Sequence, residues 1–319
     1  MDPLLFIHIP KTAGTSFRFG VDAALGKERV CRDYGPSSVE TSAIVRQWVQ
    51  PNADLWRFRS AFRAEGYLFL TGHFHASRYA GLFGVERMVT FLRDPVQRIV
   101  SEYQHHQRNY GYGEPLETFY RDKSNINRQG RLLAAVPWAG LGFVGITERY
   151  AESLQQFNRK FGMAVPFLDE NQARESIAKP YTLTAEQRHE LESLNADDIR
   201  LYRAACAQLD WRIRLAGSAP GYVSGALMRQ EHGRLLGWAR AEQGDEPVSV
   251  CFAVDGEPFA VVSAHEYRGA LRERSIGRGG FVGFSVKIVG LSSGARIECT
   301  VAETGQPLVG SPWVLRGKV

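Results

Sequence analysis

The chain opens on a largely apolar run of strand length, Leu4 to Ile9. The run breaks at Pro10-Lys-Thr-Ala-Gly-Thr-Ser16, and apolar periodicity then predicts a helix over Ser16–Leu25. Gly66-Tyr-Leu-Phe-Leu-Thr71 and Arg87-Met-Val-Thr-Phe-Leu92 predict two further buried strands. Arg93-Asp-Pro follows the last of these. Asp94 suits an N-cap and Pro95 the first turn of a helix whose face carries Val96, Ile99, Val100 and Tyr103. Arg149 to Phe161 predicts another helix, stopped at Gly162. Thr184 and Gln187 have capping-box spacing before Leu191 and Leu194. Asn195 restarts the chain into a last helix through Ile199, Tyr202 and Leu209. Strands alternating with helices predict an α/β domain over residues 1–215, P-loop-like and three-layered, with a mainly parallel sheet.

The pattern changes at Ala216-Gly-Ser-Ala-Pro-Gly221, which reads as a linker. Beyond it the helical period is gone. Val248–Val254 and Glu257–Val262 flank Asp255-Gly256, a two-residue hairpin signal. Phe281–Val289 and Ala295–Ala302 read as more short strands. Residues 220–319 are therefore expected to form a small all-β, sandwich-like domain. It would serve either as a carbohydrate-binding accessory or as a packing or dimerisation module, and a homo-oligomer stays open.

A chain of 319 residues fits this two-domain reading. The net charge of +5 is mild, and its arginines are scattered among acids, so nucleic acid is not indicated as a partner. Cys31, Cys206, Cys251 and Cys299 are far apart, without zinc-ligand spacing, and read as reduced packed thiols. No apolar segment is long enough for stable membrane insertion. Met1-Asp-Pro lacks the basic stretch of a secretory leader, and the expected location is cytoplasmic.

Two stretches carry candidate chemistry. In the first, Lys11, Thr12, Ala13, Gly14, Thr15 and Ser16 link a strand to a helix. Backbone N–H groups, two hydroxyls and an amine there could surround a phosphate-like anion. The GxxxxGK[ST] spacing of an ATP-binding loop is missing. An ordinary capped turn is the alternative. In the second, Arg93 ends a buried strand, and Arg98 and Ser101 follow on the next helix. A guanidinium and a hydroxyl suit a second phosphate. An Arg93–Asp94 pair is the alternative.

Together the two stretches resemble the sulfotransferases that use 3′-phosphoadenosine-5′-phosphosulfate (PAPS), in the carbohydrate O-sulfotransferase branch close to the heparan 2-O type. The family's Ile-Pro-Lys-Thr-(Ala/Gly)-Gly-Thr-Ser loop holds the 5′-phosphosulfate, which maps to Lys11–Ser16. Its Arg-Asp-Pro-x-x-Arg-x-x-Ser-x-Tyr stretch holds the 3′-phosphate through residues matching Arg93 and Ser101. Asn127-Arg-Gln-Gly-Arg-Leu-Leu133 and Phe143-Val-Gly-Ile-Thr-Glu-Arg-Tyr150 resemble two later stretches of that family, in order. A Gly-His between the two cofactor stretches supplies the family's base, and His73 is the matching position. His75 is the secondary choice, and Thr71 stands where the family has another histidine.

The resemblance implies sulfuryl transfer from PAPS to a hydroxyl of a carbohydrate or other acceptor. Lys11 would neutralise the leaving oxygen, His73 would take the proton, and no metal is required. His8 is expected to be structural, and His105 and His106 to lie near the acceptor. Glu102 and Glu148 are expected to be solvated or paired, and Trp48, Trp56 and Trp138 half-buried. Two other readings compete: a P-loop-like kinase using a nucleoside triphosphate, and a non-catalytic nucleotide- or glycan-binding protein.

Overall fold

A computed structural model describes residues 2–50, 53–168 and 182–316. The chain forms two compact units that part between Leu209 and Asp210. Gly84–Glu86 and Pro137–Gly140 group with the second unit.

In the first unit the strands are β1 (Leu4–Ile7), β2 (Val30–Asp33), β3 (Phe69–Gly72), β4 (Met88–Leu92) and β5 (Phe143–Ile146). They form a parallel sheet in the order β2-β3-β1-β4-β5. β1, β3, β4 and β5 are buried along their whole length, as parallel strands covered on both faces must be. The helices are α1 (Gly14–Leu25), α2 (Ala43–Trp48), α3 (Leu55–Ala64), α4 (Ser77–Phe83), α5 (Pro95–Tyr110), α6 (Leu116–Arg121) and α7 (Arg128–Leu132). After β5 come α8 (Tyr150–Phe161), α9 (Ala185–Leu194) and α10 (Ala196–Arg214), whose residues from Asp210 on belong to the second unit.

Phe17 of α1 locks this helix onto the sheet. Its ring centroid lies 4.8 Å from Phe6, 5.0 Å from Phe91 and 4.9 Å from Phe157. Such aromatic pairs contribute beyond their buried area. Two capping expectations hold in detail. Asp94 accepts from the Gln97 N–H at 2.9 Å with Pro95 in the first turn, and Thr184 and Gln187 close a capping box.

The strand pattern predicted from sequence lacks β2 and β5. Val30-Cys-Arg-Asp33 is a four-residue edge strand with two charged side chains, too short and too polar to stand out by periodicity. The second predicted strand is thus the third in the chain, and it starts at Phe69. α1 begins two residues earlier than expected, at Gly14.

Strand β1 lies at the centre of the order; the chain passes from it to β2 and β3 on one side and then crosses to β4 and β5 on the other. Its carboxyl end is a topological switch point, where open α/β sheets bind ligands.

The second unit holds two four-stranded sheets. Its strands are β6 (Val223–Glu231), β7 (Arg234–Ala241), β8 (Val248–Val254), β9 (Glu257–Ala264), β10 (Glu266–Tyr267), β11 (Phe281–Lys287), β12 (Arg296–Val301) and β13 (Trp313–Val314). A short helix α11 (Gly269–Glu273) joins them. The sheets run β10-β11-β7-β6 and β13-β12-β8-β9, with antiparallel pairing throughout both. Leu235, Val250, Phe252, Phe284, Ile297 and Val301, drawn from both sheets, share one apolar core, which makes the unit a sandwich. Asp255 (φ 49°) and Gly256 (φ 89°) form the β8–β9 turn that their dipeptide predicts. His232 and Gly233, with φ of 47° and 68°, do the same between β6 and β7. Among the described residues, no helix of either unit is long and apolar enough to cross a membrane.

Candidate functional site

A cleft of about 440 Å³ opens at the carboxyl edge of the parallel sheet. Its wall contains residues that follow β1 (His8, Lys11, Ala13, Gly14, Thr15), β3 (His73), β4 (Arg93) and β5 (Thr147). Ser101, Glu102, His105, His106, Arg108 and Tyr110 join from α5, and Arg128 from α7.

The loop after β1 is held in an unusual backbone shape. Lys11 and Ala13 have φ of 68° and 62°, a region that costs a non-glycine residue about 1–2 kcal/mol. The buried Thr12 between them turns its hydroxyl inward and donates to the Ile9 carbonyl at 2.9 Å. Thr12 therefore shapes the loop, and its hydroxyl is not on the cleft wall. Ala13 is the N-cap of α1, with no side-chain cap and no acidic residue in the first turn. The start of α1 thus presents the positive end of a helix dipole with no cap from the Ala13 side chain. Thr15 is on the cleft wall, whereas Ser16 is buried in the first turn and is not.

Gly14 is required by its neighbour. A Cβ there would stand 2.1 Å from the His8 ring. Gly72 is required in the same way, because a Cβ would stand 1.8 Å from the Asp33 carbonyl oxygen on β2. His73 follows, and its N–H donates to that same carbonyl at 3.0 Å. Asp33 is itself fixed, since its carboxylate accepts from Gln50, Arg78 and Tyr79.

The His73 ring is oriented by one hydrogen bond. Its Nδ1 lies 2.7 Å from the His8 carbonyl oxygen. A carbonyl only accepts, so Nδ1 carries the hydrogen and Nε2 presents its lone pair. The residue is solvent-exposed at the cleft wall, and the partial desolvation of its ring by the protein around it, helped by Arg128, holds its pKa below the ordinary value of 6.5. His73 is therefore neutral near pH 7, as a proton acceptor must be. His75, two residues on, lies outside the cleft wall, with Nδ1 3.0 Å from the Arg131 carbonyl.

Arg93 is buried except toward the cleft, with a relative exposure of 6%. Its Nη1 donates to the Lys11 carbonyl at 3.3 Å, which couples the two sequence stretches directly. Its Nε is 3.9 Å from Glu148 and has no hydrogen-bond partner. Glu148 also accepts from the Asp94 N–H and the Tyr202 hydroxyl, and burial raises its pKa. Gln129 clamps the Arg93 backbone from both sides, accepting from its N–H and donating to its carbonyl, each at 2.9 Å. Thr147 ties β5 to β4 through a bond to the Leu92 carbonyl.

Arg98 is placed elsewhere than the sequence suggested. It is fully buried, pairs with Glu102, and donates to the Asn125 carbonyl. Helix α5 is buried on several sides, so Arg98 faces inward while Ser101 faces the cleft. Glu102 also pairs with Arg128, which reaches the cleft wall from α7. Among the lining residues Lys11, Arg93, Arg108 and Arg128 are cationic, and the one carboxylate, Glu102, is engaged by two arginines. The cleft favours anions.

Sequence reading passed over Arg128, Gln129 and Tyr34, and assigned His8 a structural role alone. Arg128 and Gln129 lay within the quoted Asn127–Leu133 stretch. The signal for His8 was a polar residue in a buried strand directly before the loop. Trp48, Trp56 and Trp138 do not line the cleft. Among the described residues no three His, Cys, Asp or Glu side chains are grouped to hold a metal ion.

No protein-family model matches the chain, and no curated protein does. Among solved structures it is similar to a sulfotransferase from Alicyclobacillus acidocaldarius. Sequence identity is 14% and the TM-score is 0.37, over 64% of this chain and 95% of that one. A likeness that slight does not bear on function, which the side chains of the cleft must decide.

Proposed function

We propose that the cleft transfers a sulfuryl group from PAPS to a hydroxyl of a carbohydrate or similar acceptor. One observation carries this reading: the Lys11–Thr15 loop and the Arg93–Ser101 pair line a single cleft, joined by the Arg93 to Lys11 hydrogen bond. The volume suits one nucleotide-sized ligand. The fit to a doubly phosphorylated nucleotide rests on the helix end without a side-chain cap at one place and on the Arg93 guanidinium with the Ser101 hydroxyl, both on the cleft wall, at the other.

When bound, PAPS supplies a sulfuryl group carried on a phosphate leaving group. The N–H groups of Gly14 and Thr15 would hold the 5′-phosphate, and Arg93 and Ser101 the 3′-phosphate. His73 Nε2 accepts the hydroxyl proton as the acceptor oxygen forms its bond to sulfur. The electron pair of the breaking S–O bond stays on the departing phosphate oxygen, beside the Lys11 ammonium. Positioning and charge compensation do most of the work in transfers of this kind.

The test is thermal stabilisation by adenosine 3′,5′-bisphosphate against ATP with Mg²⁺, followed by an acceptor screen with labelled PAPS. The expected outcome is stabilisation by the bisphosphate alone, then label on a hydroxylated acceptor. Stabilisation by ATP–Mg²⁺ alone refutes the reading.

A further inference from the structure

The cleft holds a second imidazole, and its surroundings differ from those of His73. His8 follows β1 directly and is 93% buried by its 7% relative exposure. Its ring centroid lies 4.5 Å from that of His73, at a tilt of 49°. Its Nδ1 lies 3.0 Å from the Tyr34 hydroxyl. Its Nε2 edge occupies the place where a side chain on Gly14 would stand, 2.3 Å from that absent Cβ. No hydrogen-bond partner for Nε2 occurs among the described residues, and His8 is on the cleft wall.

Resting on the sulfuryl-transfer reading, we propose that His8 is a hydrogen-bond donor to the transferred group, in the tautomer opposite to that of His73. The argument runs from the Tyr34 contact. Burial keeps the Tyr34 phenol protonated. An imidazole nitrogen is a much stronger acceptor than a phenol oxygen, so the phenol donates to Nδ1. The hydrogen of His8 then sits on Nε2, at the edge facing the start of α1. An N–H held against the positive end of a helix is unfavourable unless an anion lies beside both of them in the cleft. That need ties this tautomer to an anionic ligand at the loop.

Burial, with His73, Arg18 and Lys11 nearby, holds the His8 pKa well below its ordinary range, so the ring stays neutral in working solution. Two neutral imidazoles side by side thus divide their tasks. His73 offers a lone pair to the acceptor proton, and His8 offers an N–H to an oxygen of the group in transit. A carbon isostere separates this from a packing role. Phenylalanine keeps the ring against Phe6, which stacks on His8 at 5.5 Å, but carries no nitrogen.

Four measurements on the full chain decide the matter. Side-chain ¹⁵N spectra with PAPS bound and no acceptor should show His8 protonated on Nε2 and His73 on Nδ1. His8→Phe should bind PAPS about tenfold more weakly, the loss expected for one hydrogen bond to a charged group. It should bind adenosine 3′,5′-bisphosphate, which has no sulfuryl group, within twofold of the unaltered chain. Its turnover should fall on the order of 100-fold. A hydrogen on His8 Nδ1, or equal losses for both nucleotides, overturns the proposal while the sulfotransferase reading stands. Failure of the unaltered chain to bind either nucleotide removes both. If His8→Phe does not fold, the spectra of the unaltered chain still decide.

Discussion

The parallel-sheet unit and the sandwich bury different kinds of residue. At the carboxyl edge of its sheet, the first unit buries His8, Thr12, Asp33, Arg93, Arg98, Ser101, Glu102, Gln129 and Thr147. Among its described residues the second unit buries only Arg212, at the end of α10, with Ser224 and Gln306 as polar side chains, over a continuous apolar core. Burying a polar or charged group costs free energy unless it is fully partnered. Apolar packing would hold a sheet edge equally well, so a concentration of buried charge at one edge marks where the fold gives up stability for a site. The sandwich shows no comparable concentration.

The largest effects should come from the two groups at the chemical centre. Lys11→Ala and His73→Gln should each lower transfer about 1,000-fold or more, the order of a lost general base or preorganised donor. Both side chains reach the cleft, so the urea midpoint should stay within error of the unaltered chain. Transfer within tenfold of normal by either variant would remove that residue from the mechanism.

Next comes the buried ion network. Arg98→Met removes one partner of Glu102 while keeping much of the volume. It should cost about 3 kcal/mol in urea denaturation, as breaking buried pairs does. It should also lower turnover, because Arg128 loses the fixed carboxylate that holds it at the cleft wall. Phe284→Ala in the sandwich core should cost a similar amount, about 3 kcal/mol, with the kcat of the folded protein unchanged. Equal kinetic effects from the two variants would erase the contrast between the units.

A smaller effect is expected from pH. The His73 ring stands 4.5 Å from that of His8, burial and the charges of Arg128 and Arg18 lower its pKa below 6.5, and Glu102 opposes them. The transfer rate should rise with pH through that lowered value and be flat above about 6.5, because the base must be neutral. Stability follows the same direction. His8 and His73 bind fewer protons folded than unfolded, so the contribution of each is complete above the unfolded value near 6.5. It is lost as pH falls through the folded pKa. Urea titrations from pH 7.5 to 5 should show falling stability, and His8→Phe should flatten the slope.

The same contrast explains what the sequence made legible. Apolar strands β1, β3 and β4, the Asp94-Pro95 helix start and the Asp255-Gly256 turn obey local rules, and they are visible without tertiary context. The edge strand β2 is not, since Arg32 and Asp33 break its apolar pattern while neighbours in the sheet supply its pairing. In the site, Lys11, Arg93 and His73 come just after the ends of strands, where position in the chain predicts position in space, and Ser101 lies on α5 at helical spacing from Arg93. Arg128 depends on the pairing of α7 with α5 through Glu102, and the place of Arg98 depends on which sides of α5 are covered. The chain order encodes neither. His8 has the right position, but its place beside the loop suggested only a structural role.

The smallest effects concern backbone strain, and here the two units should respond with opposite signs. Ala13 holds φ 62° in the anion loop although it is not glycine, while Gly256 holds φ 89° in a sandwich turn with open space around it. Ala13→Gly relieves about 1–2 kcal/mol of folded-state strain and loses about 0.4–1 kcal/mol through a freer unfolded chain. A net stabilisation of about 0.5–1 kcal/mol is expected. Gly256→Ala reverses both terms and should destabilise by a similar amount, with no change in turnover. Matched urea denaturation curves read the two signs directly. If Ala13→Gly instead destabilises, the left-handed conformation of Ala13 is not a strain that the loop carries, and the reading of this N-cap as strained fails.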